Sequence, residues 1–242
     1  MDGPTSDAQI SNRELLMFDT DPNRFMPIIF STWLLFTMQA VFAAGILPTL
    51  LFFPMCAAVV WLSWWCFDCA YRTEKFTRYA NLRLFLNLGF APGFTFLLVL
   101  IAAYKQLKLG PVTSLSLACI PLLIAFVIYL ALYRWRSRTT VLVARVNRVE
   151  VIAPPFQNQS LQGGVGAALS SVIYPMVHSY DSPALLLACV FFAISLFMLF
   201  YHRVSIASLR SLKEQELKER VSYTFMEVER IRARRAASFI GR

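Results

Sequence analysis

The chain has 242 residues, 57% hydrophobic and only 15% charged, with a net charge of +9. An ordinary soluble domain carries about 25% charged residues. This chain is too apolar to be disordered and has too little polar surface to cover a water-facing body. Its composition fits a mainly α, polytopic helical membrane protein with its charges gathered on one side.

Residues 1–26 read as an acidic N-terminal tail, with Asp2, Asp7, Glu14, Asp19 and Asp21 against Arg13 and Arg24. They lack the basic start and short apolar stretch of a secretory signal, and they are not an Arg-rich presequence. Asp21-Pro22-Asn23 reads as a helix start, with an N-cap acid and a proline in the first turn. From Pro27 to Phe67 no side chain is charged. A crossing takes about 20 apolar residues, so this run predicts helices over 27–46 and 48–67, with Gly45 and Pro48 at the turn. A third span is expected over 84–104. Gly110-Pro111 breaks the chain, and a fourth span follows over 112–133, completing a four-span region over 27–133.

Residues 134–160 change character. Thr139-Thr140-Val141-Leu142-Val143 is β-branched and partly alternating, Asn147-Arg148 can turn, and Val149-Glu150-Val151-Ile152 resumes the pattern before Pro154-Pro155. This predicts a short surface β-hairpin. A lone hairpin is marginal in water, so it needs the C-terminal helix or a partner to pack on. Residues 161–202 read as a two-span hairpin: a short fifth span over 163–177, rich in Gly, Ala and Ser, and a sixth over 183–201 that Ser182-Pro183 starts. Residues 203–242 form a basic tail. Leu209, Leu212, Leu217, Val221, Phe225, Val228 and Ile231 recur at spacings of three to five, which predicts one amphipathic helix over about 204–237.

With about six transmembrane helices, 21 of the 23 Lys and Arg fall on one side, leaving only Lys105 and Lys108 on the other. The positive-inside rule then puts both termini in the cytoplasm, or in the matrix of a mitochondrion.

The spans carry no interior ionisable residue, which disfavours a proton-coupled carrier. Gly89 and Gly93 form a G-x-x-x-G, and Gly163/Ala167 and Gly164/Ala168 form small-residue pairs. Such faces let helices approach closely, within this chain or against another subunit. Arg230, Arg232, Arg234 and Arg235 are candidates for contact with a partner or with lipid headgroups, anionic ones included. An equally good account is a positive-inside anchor on a solvated helix. Cys66-Phe67-Asp68-Cys69 has the spacing of a redox pair or half a metal site, although buried free cysteines are commoner. His178 and His202 fall at opposite membrane edges and cannot share one ligand. No catalytic, cofactor or metal site is expected, and no nucleic-acid module is present.

Two stretches carry a family resemblance. One is Glu14-Leu15-Leu16-Met17-Phe18-Asp19 followed by Arg24-Phe25 and the first span. The other runs from Tyr133-Arg134-Trp135-Arg136 through the hairpin to Pro155-Phe156. Their order resembles the group of mitochondrial membrane proteins comprising transmembrane proteins 70, 186 and 223. The resemblance implies an inner-membrane protein with a matrix-side β element that helps assemble respiratory-chain complexes. The expectation is a non-enzymatic accessory subunit or assembly factor that binds other membrane proteins. The alternative is a small channel or carrier for a neutral or lipidic solute, with Asn87 and the Gly89–Gly93 break as its lining.

Overall fold

The computed structural model describes residues 18, 20, 24–135, 137, 140–145, 147–151 and 183–237. The expected fifth span over 163–177, with Gly163, Gly164, Ala167 and Ala168, lies outside the described residues, as do Asp21, Pro22, His178 and Ser182.

Among the described residues five helices are long and apolar enough to cross a membrane. α1 (Phe25–Ile46) and α2 (Pro48–Phe67) form the first hairpin. Its break falls at Leu47, whose φ of −128° and ψ of 70° leave the helix, and Pro48 opens α2, where a missing N–H costs nothing. A π-helical turn, Asp68–Arg72, ends α2. α3 (Phe76–Ile101) closes with another π turn, Ala102–Gln106, and Gly110-Pro111 starts α4 (Pro111–Arg134). α5 (Pro183–Tyr201) is the fifth such helix. These spans follow the expected apolar runs, with two differences: the N-cap of α1 is Arg24, with no side-chain cap bond, where the sequence suggested Asp21, and the start of α3 moves. α3 begins at Phe76 rather than Leu84, so Arg78 and Arg83 sit on its first turns.

α3 is the centre of the bundle. Half of its most apolar window is buried, against 17% or less for α1, α2 and α4. It packs on α1, α4 and α5. Outward faces stay apolar, as with Phe53, Val60, Val112 and Val127. Bilayer carbon, unlike water, imposes no cost on such surface.

A compact module caps one end, called here the sheet end. β1 (Leu142–Arg145) and β2 (Arg148–Val151) form the antiparallel hairpin, with Asn147 at φ 64° in the turn. The sequence placed the turn at Asn147-Arg148; Arg148 is instead the first residue of β2. The hairpin finds its partners inside the chain. β3 (Thr224–Phe225) joins β2 in parallel, and Ser208 of α6 (Arg203–Glu219) accepts a hydrogen bond from the Val141 N–H at 3.0 Å.

The single tail helix is not observed. α6 stops at Arg220, in the left-handed region at φ 55°; the chain then forms β3 and restarts as α7 (Val228–Ala237). The break lets Phe225 enter the core. Fully buried, it lies 5.5 Å from the Phe25 ring, 5.8 Å from Phe76 and 5.4 Å from Tyr79. A continuous helix could not deliver Phe225 there and also place α7 beside the α2–α3 turn.

Candidate functional site

α1, α2, α3 and α4, with Leu199 of α5, line an open-sided cavity of about 770 Å³, within the range of pockets that take small organic ligands. α3 forms its back through Leu84, Leu88, Pro92 and Phe96. α2 contributes Leu51, Met55 and Leu62, and α4 contributes Leu115, Leu122 and Ala125. Between Leu115 and Tyr129 it follows α4 for about 20 Å, most of a hydrocarbon core. Trp61 and Phe126 line it and are also 55% and 56% exposed, so they form its rim on the bilayer side.

Three polar side chains face this space. Gln39 donates from Nε2 to the Phe90 carbonyl at 3.2 Å, so its amide is anchored across to α3. Asn81 and Tyr129 sit at the sheet end of the cavity. Asn81 donates to the Thr77 carbonyl at 2.6 Å, and its Oδ1 accepts from Lys213 Nζ at 2.7 Å. Lys213 is half-buried on α6, with its ammonium 5.8 Å from the centre of the Tyr133 ring. Burial pulls it below the ordinary lysine range, and Glu216 partly opposes this. Arg210 brackets the same ring, donating to the Tyr133 and Arg134 carbonyls at 3.1 and 3.0 Å, and so locks α6 onto the end of α4.

Gly89 and Gly93 form a helix-packing face within the chain. A Cβ at Gly89 would stand 3.2 Å from the Phe36 ring, and one at Gly93 would stand 2.5 Å from Gln39 Oε1. Both belong to the α1–α3 contact and both reach the cavity wall. Asn87, expected in the lining, is absent from it; Gln39 and Asn81 take that place.

The tail arginines divide. Arg235 is only 8% exposed and does not meet headgroups. Its Nε donates to the Ala70 carbonyl at 2.8 Å, and Nη2 donates to the Cys69 and Thr73 carbonyls at 3.1 and 2.8 Å. These carbonyls belong to the π turn and the residue after it, where a helix end leaves acceptors unpaired. Arg232 grips Glu74 with two bonds of 2.7 Å and holds that carboxyl below its ordinary range. Arg230 is 76% exposed and pairs with Glu227 at 3.0 Å; Arg234 is exposed.

No known protein family, curated protein or solved structure matches this chain.

Cys66 and Cys69 are free and buried. Among the described residues no three His, Cys, Asp or Glu converge as a metal site would require. His202 is buried where α5 meets α6, and burial holds it down to about 4, so it is neutral at ordinary pH. Arg83, which the sequence placed outside the third span, is 7% exposed in α3, and its Nε and Nη1 find no hydrogen-bond partner among the described residues.

The residues that sequence reasoning missed are Asn81, Tyr129 and Lys213. One signal existed: Lys213 stands four residues after Leu209, on the apolar stripe itself.

Proposed function

We propose that this protein binds a lipidic solute within the bilayer and works as a carrier or holder of that solute rather than as an enzyme. The carrying observation is the apolar cavity of about 770 Å³ with aromatic rim residues turned to the lipid. An apolar solute enters such a space from the bilayer without crossing water. The lining supports binding over chemistry, since Gln39, Asn81, Tyr129 and Cys119 include no base poised beside a nucleophile. The excess of basic residues at the sheet end supports an orientation with that end in the cytoplasm or the mitochondrial matrix.

The test is saturable binding of a long-chain alcohol, hexadecanol, to the purified protein in a short-chain detergent. Cys119→Trp places an indole in the cavity and is expected to weaken binding at least tenfold while the protein stays folded. Absence of saturable binding to the unaltered protein would overturn this reading.

Service as an accessory subunit or assembly factor is the second reading, and the resemblance points it to a mitochondrial respiratory complex. Three features that motivated it are used within the chain: the hairpin pairs with β3, Gly89 and Gly93 pack on α1, and Arg235 binds the α2–α3 turn. Its support is the exposed basic face of α7 at Arg230 and Arg234. Migration on a native gel in mild detergent tests it, and a monomer at every detergent concentration counts against it.

A further inference from the structure

The cavity is apolar along its length, but its sheet end is built differently. Asn81 and Tyr129 close that end, and Lys213 stands immediately behind Asn81. An ammonium has three N–H donors, and among the described residues Lys213 uses one, to Asn81 Oδ1 at 2.7 Å. Among the described residues no carboxylate lies within ion-pair distance of it. The acids of its own helix are otherwise engaged. Glu214 accepts from Arg210 Nε at 2.6 Å, Glu216 accepts from the Tyr223 N–H at 2.9 Å, and Glu219 accepts from the Tyr223 hydroxyl at 2.5 Å. Glu216 acts on Lys213 only from beyond ion-pair contact, so the half-buried ammonium lacks a contact anion, which is costly unless something pairs with it. Tyr129 and Tyr133 stand on the last turns of α4 near this end, Tyr129 in the lining and Tyr133 beside Lys213, and amphipathic aromatics favour the headgroup zone. A long apolar slot therefore ends at Asn81, with a positive charge carrying two unused donors directly behind that amide.

We propose that the cavity selects a single-chain amphiphile with a carboxylate head, a long-chain fatty acid, its tail along α3 and α4 and its carboxylate at the Asn81–Lys213 end. This assignment rests on the lipid-binding reading above and adds the head group to it. One ammonium and one amide suit a carboxylate, whose two oxygens accept from both. A phosphate monoester carries up to two negative charges, which one ammonium only half neutralises, and the neighbouring Arg210 is already committed to the α4 carbonyls and Glu214.

The experiment compares palmitate with hexadecanol, which share a chain and differ in the head. The unaltered protein is expected to bind palmitate about tenfold more tightly, the size of one charge-assisted bond. In Lys213→Met that preference disappears while hexadecanol binding is unchanged, which shows the cavity intact. Lys213→Arg keeps the charge and retains the preference. Equal binding of both probes to the unaltered protein, or a preference that survives Lys213→Met, overturns the head-group assignment and leaves the cavity reading standing. If Lys213→Met loses both probes, Lys213→Arg decides: a kept preference supports the assignment, and its loss overturns it. No binding of either probe to the unaltered protein overturns both.

Discussion

Arg235 shows how much one side chain can hold. It reaches from α7 to three carbonyls at the end of α2, and its guanidinium lies 5.8 Å from the centre of the Phe25 ring. Arg235→Met leaves those acceptors without their partner and is expected to cost about 3 kcal/mol, the scale of lost charge-assisted bonds. Arg235→Lys recovers part, because a single ammonium lacks the planar fork that serves several carbonyls at once. Thermal unfolding in detergent reads the difference; an equal loss in Arg230→Met would deny the latch. His202 makes a second residue-level prediction. Its folded value, about 4, lies below the ordinary 6.5. Between these values the unfolded chain binds a proton that the folded chain does not, so stability falls as pH drops from about 6.5 toward 4, by at most about 3 kcal/mol. His202→Gln removes that portion of the acid sensitivity, which unfolding at pH 7 and pH 4.5 would measure. Residues of this kind were the least legible in the sequence. Arg235 and Arg230 look alike as text, and only the fold turns one inward.

Among elements, the spans were legible because a membrane helix announces itself by length of apolar run alone, and four of the five begin or end at a proline or glycine break. The tail was not. Val221 and Phe225 continue the stripe of Leu209 and Leu212 at helical spacing, yet Leu217 within that stripe is 83% exposed and Phe225 belongs to a strand. No glycine or proline marks the stop at Arg220, which takes the left-handed conformation with φ 55°. That geometry costs an L-residue roughly 1–2 kcal/mol. Glycine avoids it at an entropic cost of about 0.5–1 kcal/mol. Arg220→Gly is therefore expected to stabilise the protein by up to about 1 kcal/mol in chemical denaturation, and a loss of stability would show that the side chain itself holds the break. The hairpin was legible as an alternating pattern, whereas its third strand, two residues long, carries too little pattern to read.

At the scale of the whole molecule, the described chain begins and ends at the sheet end: Phe25, opening α1, packs on Phe225, just before α7. The α3–α4 connection, with Lys105 and Lys108, lies at the other end. A protease site inserted at Lys108 and one appended after the C-terminus are expected to be cut from opposite faces of sealed vesicles, and cutting of both from one face would refute this topology. The charge asymmetry made the arrangement legible. The cavity was not, because it arises where helices far apart in sequence fail to touch, and no local pattern encodes a gap. The latch also has a consequence for biogenesis. Ala70 and Arg235 are 165 positions apart, so the first hairpin can enter the membrane early while the α2–α3 turn stays unfinished until α7 has been made. A chain interrupted before α7 would leave the ribosome with the carbonyls of its α2–α3 turn unpartnered, a mark that quality control could read.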